Sequence, residues 1–305
     1  MLKGRDVVSI RDIAKSDIEL LLRRAEEMEA GLVAGTPPDS LRGKIVSTVF
    51  FEPSTRTKMC FQAAVKRLGG QILNLTSVQA SSMKKGESLS DTLRIIDGYS
   101  DMVIIRHALD GSARYAADIC AHPVINAGDG GNQHPTQTLL DLYAIRRMKG
   151  RIDGLDVFLV GDLKHARTMK SLLYGLALFK ARVTLVSPQG LEMNPKVVEE
   201  VRGKFKAEVA ESGALDLKQA DVAYVCRVQK ERFADPYEAE LAQKKFMVTT
   251  ESLKGAKGDL VLLHPLPKVD EIAPEIDGTK HAKYFEQARL GVPMRMALMA
   301  EVLGV

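Results

Sequence analysis

Short apolar runs rich in β-branched residues alternate along this chain with segments of helical periodicity, and the alternation starts twice. In the first half, strands are predicted at 45–51, 71–75, 101–106 and 124–127, with a helix after each of the first three. A capping box at Ser16-Asp17-Ile18-Glu19 predicts an earlier helix burying Ile18, Leu21, Leu22, Ala25 and Met28. A long helix opening at Pro135 and ending near Gly150 follows and would bridge to a second half. There the pattern restarts, with strands at 156–160, 182–186, 222–226 and 259–263, a helix after each of the first two, and a last helix over 285–303. Strand, helix, strand, helix in this order predicts parallel sheets with crossover helices. A chain of 305 residues exceeds one small core, so the expectation is an α/β protein of two domains, each a mostly parallel sheet flanked by helices. The expected domains are 1–149, with 285–305 packing back on it, and 150–284.

Composition narrows the function classes. The chain is 45% hydrophobic and 27% charged, with few aromatics and no tryptophan. A net charge of +4, with basic residues at most in pairs, argues against nucleic acid and suits an anionic substrate. Three widely spaced cysteines, Cys60, Cys120 and Cys226, fit neither a disulfide frame nor a zinc knuckle. The amino-terminal residues show no signal-peptide core, and no apolar run approaches membrane length, so a cytoplasmic protein is expected.

The densest chemistry lies at residues 50–61. Pro53 breaks the strand and Ser54 stands at the N-cap of a helix that buries Phe61, Ala64, Val65 and Leu68 and stops at Gly69-Gly70. Ser54, Thr55, Arg56 and Thr57 therefore sit where amide donors, the helix dipole, hydroxyls and a guanidinium converge. That is an anion site, suited to phosphate. A plain helix cap beside a solvated arginine is the competing reading, and an arginine set between two threonines in the first turn weighs against it.

Polar residues recur at the carboxyl ends of the other predicted strands, at 76–85, 106–107, 128–137, 161–168, 226–232 and 264–267. Those ends form the ligand crevice of open parallel sheets, and two such sheets facing each other would place one site between the domains. The census is mostly basic, with Lys84, Lys85, Arg106, His134, Lys164, Arg167, Arg227 and Lys230 against Glu52, Asp129 and Asp162. No nucleophile elbow, Walker loop or Gly-x-Gly-x-x-Gly turn appears, so the site is built to hold anions and stabilise charge. His134 closes a loop with three glycines before a helix, where a neutral imidazole can donate to a carbonyl oxygen. His264, flanked by prolines, can instead simply shape a turn.

Phe51-Glu52-Pro53-Ser54-Thr55-Arg56-Thr57 resembles the carbamoyl-phosphate signature of the carbamoyltransferases, and His134-Pro135-Thr136-Gln137 with Leu139-Leu140-Asp141 resembles their second shared motif. Lys84-Lys85-Gly86-Glu87-Ser88, Arg227-Val228-Gln229-Lys230-Glu231-Arg232 and His264-Pro265-Leu266-Pro267 resemble the aspartate-using branch, in order and over nearly the whole chain. The resemblance implies transfer of the carbamoyl group of carbamoyl phosphate to the amine of L-aspartate, an early step of pyrimidine biosynthesis, without metal, cofactor or covalent intermediate. It implies that Ser54, Thr55, Arg56 and Thr57 hold the phosphate, that Thr55, Arg106 and His134 polarise the carbonyl, and that Gln137 orients the carbamoyl amide. Arg167, Arg227, Gln229 and Lys85 would grip the aspartate carboxylates, and the carbonyls of Pro265 and Leu266 would take the amine or the carbamoyl NH₂. Ser81 and Lys85 would reach a neighbouring subunit's site, making 76–86 an arm and the assembly a homotrimer with active sites at subunit interfaces. A separate zinc-binding regulatory chain is a further partner open to such a protein, and any zinc would belong to that partner.

Lys58, Cys60, Gln62 and Ala108 depart from the usual pattern outside these roles, and Lys268 replaces a usual arginine, keeping charge but losing the bidentate fork. The ornithine-using branch usually carries His-Cys-Leu-Pro and lacks the Lys-Lys-Gly-Glu arm, whose charge would repel a cationic acceptor. A catalytically silent homologue serving as a binding subunit is a rival of another class. The polar loop 230–236 is expected to move on substrate binding.

Overall fold

A computed structural model of the protein describes residues 2–75, 85–228 and 236–305, with the backbone alone at 236, 238, 239, 241 and 242. The chain divides into two units, Met1–Tyr143 with Leu290–Val305, and Ala144–Arg289.

The first unit begins with α1 (Lys15–Val33) and continues β1 (Ile45–Phe50), α2 (Thr55–Arg67), β2 (Gln71–Leu75), α3 (Leu89–Asp97), β3 (Met102–His107), α4 (Ser112–Ile119) and β4 (Val124–Asp129). The four strands form a parallel sheet in the order β2-β1-β3-β4. β1, β3 and β4 are buried nearly throughout, as apolar strands covered on both faces must be. Val49, Val103, Ile105 and Val124 pack with Leu93, Ala113 and Ala116 of the crossover helices. Burying each large side chain among them contributes about 1.5–3 kcal/mol. Ser88 caps α3 by accepting from the Asp91 N–H at 3.0 Å.

One helix start differs from the expectation. Ser16 lies inside α1, whose N-cap is Ala14 and has no side-chain cap. The Ala14 carbonyl instead accepts from the N–H groups of Asp17 and Ile18 at 3.0 and 3.1 Å. Asp17, buried and 3.6 Å from Arg5, supplies the negative charge that the first turn favours.

After α5 (Pro135–Lys149) the second unit carries β5 (Asp156–Val160), α6 (Arg167–Leu178), β6 (Arg182–Val186), α7 (Pro195–Phe205), β7 (Val209–Ser212), β8 (Val222–Val225), α8 (Pro236–Phe246) and β9 (Val261–Leu263), and α9 (Tyr284–Leu303) starts in it. Its parallel sheet runs β7-β6-β5-β8-β9. Val160, Val225, Leu262, Phe246 and Tyr284 share its core. The edge strand β7 and helix α8 are absent from the sequence reading. β7, Val-Ala-Glu-Ser, has no apolar run and exists because β6 offers it a free edge.

The division falls inside α5 and inside α9. In the first unit's part of α9, the buried guanidinium of Arg295 lies 4.7 Å from the centre of the Phe61 ring, above the α2 core face. No helix among the described residues is long and apolar enough to cross a membrane.

Candidate active site

Strand order reverses between β1 and β3 in the first sheet, and between β5 and β8 in the second. At such a switch point the connections leave in opposite directions and open a crevice beyond the carboxyl ends of the strands.

At the first switch point β1 hands directly to α2. Ser54 occupies the N-cap, but its side chain makes no capping bond. Helical geometry gives the N–H groups of Thr55, Arg56 and Thr57 no intrahelical acceptor. Thr55 and Arg56 are exposed there while Thr57 is buried. Ser54 thus does not cap the helix with its side chain, and the first-turn N–H groups stay open to an acceptor.

The neighbouring strand brings Arg106 to the same place. Phe50 is the β1 register partner of Arg106, and the Phe51 N–H donates to the Arg106 carbonyl at 2.9 Å. Register between β3 and β4 shifts after Ile105, leaving an extra residue in β4. The bulge turns the Ala127 carbonyl to the Arg106 side chain, whose Nη1 donates to it at 3.1 Å. Nη2 lies 2.9 Å from Glu52 Oε2. The guanidinium is thus buried and held on two sides, so its direction is preset.

Asp129 organises the loop that delivers His134. It is buried and accepts from the N–H of Gly111 at 2.9 Å, the N–H of Gln133 at 3.2 Å, and the amides of Asn126 and Asn132 at 2.8 and 3.1 Å. This carboxylate, counted among the candidate site acids, has a structural position. Gly130 has φ +49°, and a side chain there would strike Asp110, so the glycine is a steric requirement. The His134 carbonyl accepts from the N–H of Gln137 and Thr138 at 3.0 and 3.2 Å, setting the buried imidazole at the start of α5. Gln137, one turn on, donates to Asp141 at 2.8 Å, which fixes its amide.

In the second unit, Gly161 follows β5 with φ +120°, and a methyl group there would overlap the carbonyl oxygen of Cys226, the residue after β8. Buried Asp162 accepts from the His165 N–H at 2.9 Å and lies 3.1 Å from its Nδ1, tightening the turn into α6. Arg167 is thereby the first residue of α6, partly buried, and Arg227 follows β8 as an exposed side chain. They lie in the segments that follow β5 and β8, the two strands that flank the switch point. Lys164 turns away and donates to the Gly190 carbonyl at 3.4 Å.

Residues 264–267 follow β9 as a rigid turn. The His264 N–H donates to Gln287 Oε1 at 2.9 Å, and His264 Nδ1 accepts from the Leu266 N–H at 2.8 Å. Its Nε2 lies 2.6 Å from Glu271 Oε1, in a close contact bent away from a linear hydrogen bond. Burial disfavours charge on Glu271, but His264 and two backbone N–H donors outweigh it and hold the carboxyl below its usual range. Pro265 and Leu266 are partly exposed. Lys268 pairs with Asp277 at 3.1 Å and lies over the Tyr284 ring. Glu271 and Gln287 went unread in the sequence, because neither spacing nor motif links them to His264.

Lys85 is exposed. Ser81, Lys84, Gln229 and Lys230, with most of the predicted arm 76–86 and loop 230–236, lie outside the described residues.

The family model described as "Aspartate/ornithine carbamoyltransferase, carbamoyl-P binding domain" matches residues 5–147, and the one described as "Asp/Orn binding domain" matches residues 153–302. The chain belongs to the aspartate/ornithine carbamoyltransferase family. Among curated members of the family it is 48% identical to the aspartate carbamoyltransferase catalytic subunit of Archaeoglobus fulgidus, covering 98% of this chain and 99% of that one. It is 50% identical to that of Thermococcus kodakarensis, covering 99% and 98%. Among solved structures, the catalytic subunit of M. jannaschii aspartate transcarbamoylase superposes with a TM-score of 0.93 at 44% identity, covering 98% of each chain. The Trypanosoma cruzi enzyme in complex with carbamoyl phosphate and aspartate gives 0.94 at 36% identity, covering 99% of this chain and 96% of that one.

Proposed function

We infer that this chain transfers the carbamoyl group of carbamoyl phosphate to the amine of L-aspartate, giving N-carbamoyl-L-aspartate and phosphate in pyrimidine biosynthesis. The observation that carries the reading is the switch point of the first sheet, where an uncapped helix terminus adjoins a buried, preset arginine. The aspartate carbamoyltransferase names of the relatives support the choice of substrates.

The first unit binds carbamoyl phosphate. Ser54, Thr55, Arg56 and Thr57 take the phosphate, and Thr55, Arg106 and His134 polarise the carbonyl oxygen. Gln137 orients the carbamoyl amide, and the carbonyls of Pro265 and Leu266 accept from its NH₂. Arg167, Arg227, Gln229 and Lys85 hold the two carboxylates of aspartate. The amine lone pair attacks the carbonyl carbon, and the tetrahedral oxyanion collapses with cleavage of the carbon–oxygen bond to phosphate. The departing phosphate takes the amine proton. Each oxyanion donor is worth about 10²–10³ in rate in such a site.

In this reading Ser81 and Lys85 serve a neighbouring copy, so the active form is a cytoplasmic homotrimer with shared sites. A regulatory chain bringing its own zinc is compatible with it.

Phosphate release from carbamoyl phosphate, followed with L-aspartate and L-ornithine in parallel, tests the reading. Turnover with aspartate alone is expected. Turnover with ornithine alone would discard the acceptor assignment, and a folded protein that binds carbamoyl phosphate without turnover would be a silent homologue.

A further inference from the structure

We propose that His264 and Glu271 are positioning residues that aim the Pro265 and Leu266 carbonyls at the carbamoyl NH₂, and so set selectivity for a carbamoyl over an acyl donor. The proposal rests on the reading above that these two carbonyls accept from the NH₂.

His264 and Glu271 are each 2% exposed, and neither has a role in the reaction as described. A buried imidazole and a buried carboxylate are costly unless their polar atoms find hydrogen-bond or charge partners. Here both partners are spent on the backbone of one turn. Nδ1 of His264 accepts from the Leu266 N–H at 2.8 Å, so a neutral ring carries its proton on Nε2, facing Glu271 Oε1 at 2.6 Å. The other carboxylate oxygen, Oε2, accepts from the N–H groups of Val269 and Asp270 at 3.1 and 3.0 Å. Imidazole and carboxylate thus clamp both sides of residues 265–268.

The clamped segment is a strained one. Leu266 has φ +54°, left-handed backbone that a branched side chain avoids. Such a conformation persists where its surroundings over-determine it, and the imidazole bond to the Leu266 N–H does so directly. That bond fixes the Pro265–Leu266 peptide plane, and with it the direction of the Pro265 carbonyl. The anchoring of the His264 N–H on Gln287 fixes the strand side of the same turn.

The charged side chain at the end of the turn is committed elsewhere. Lys268 pairs with Asp277, and Asp277 also accepts from Tyr284. Among the described residues the imidazole is therefore the side chain that sets the Leu266 amide.

Carbamoyl phosphate and acetyl phosphate differ by NH₂ against CH₃ at nearly equal size, so their ratio of kcat/KM reads the aim of the two carbonyls. A site built to hydrogen-bond an NH group rejects the analogue lacking it by about 10⁴-fold or more. The test compares this ratio in the full-length wild type and in His264→Ala, His264→Asn and Glu271→Gln. His264→Ala is expected to lower the ratio at least tenfold, with affinity for inorganic phosphate within twofold of wild type. His264→Asn, which keeps an acceptor near the Nδ1 position, is expected to restore most of the ratio, and Glu271→Gln to give an intermediate value. If His264→Ala does not unfold cooperatively in urea, the other two variants carry the comparison. A wild type that favours carbamoyl phosphate strongly, with variants that keep the whole preference, overturns the positioning role and leaves the carbonyl reading standing. A wild type without the preference removes the carbonyl reading, and the proposal falls with it.

Discussion

Arg106 and Glu52 form an ion pair, 2.9 Å from Nη2 to Oε2, at the switch point of the first sheet. Arg106 is buried and Glu52 about one-third exposed in its side chain, so the carboxylate sits on the solvent side of the guanidinium. Under the proposed function, an incoming anion competes with Glu52 for Arg106.

Glu52→Gln removes that competition while keeping size. Inorganic phosphate is expected to bind about 3–10-fold more tightly, a gain of roughly 1 kcal/mol typical of a partly screened charge pair. Titration calorimetry at fixed ionic strength measures it. Equal or weaker binding would mean that Glu52 orients Arg106 more than it shields it.

Gly161→Ala tests the second switch point. A methyl group there meets the Cys226 carbonyl oxygen, and φ +120° is unfavourable for any side chain. A loss of about 2–4 kcal/mol in unfolding free energy is expected from strain and displaced backbone together. Urea denaturation followed by circular dichroism reads it, and an unshifted midpoint would contradict the close approach.

Asp129→Asn tests whether the glycine loop is held by charge. Asp129 accepts from four donors, and an amide presents two of them with another N–H. Stability is expected to fall by about 2–3 kcal/mol, and kcat more than tenfold as His134 loses its support. A variant of lowered stability with wild-type kcat would separate the loop from the chemistry.

His107 makes stability depend on mild acid. Burial pushes its pKa below 6.5, against the pull of Glu52 and Asp129. Its Nδ1 accepts from the Leu109 N–H at 3.0 Å and its ring packs edge-on against Phe51. Below about pH 6.5 the unfolded chain therefore binds a proton that the folded chain resists, and stability falls as pH drops through that value. His107→Asn, which keeps an acceptor, should flatten this limb between about pH 7 and 5 in urea midpoints. An unchanged slope would place the acid sensitivity elsewhere.

Much of the local structure around the candidate site is legible in the sequence alone. Ser54 to Thr57 could be placed at a helix start because proline, hydroxyl and apolar spacing act within a few residues. Arg106, Arg167 and Arg227 could be placed at strand ends because β-branched runs mark strands locally. The Ser16 capping box failed for the same reason in reverse, since a local pattern does not reveal Arg5 beside Asp17. β7 was invisible because its only cause is the open edge of β6.

By itself, then, the sequence determined two parallel α/β sheets, the helix start at Ser54 to Thr57, and the basic residues that follow the strands. These follow from steric and hydrogen-bonding preferences that operate over one or two turns of chain. Only the tertiary structure decided that β1 and β3 are neighbours, that Glu52 holds Arg106, that Asp129 carries the loop before His134, and that Glu271 and Gln287 set the turn at His264. Those contacts depend on sheet order and on a bulge in β4, which arise when distant segments pack, and no local preference encodes them.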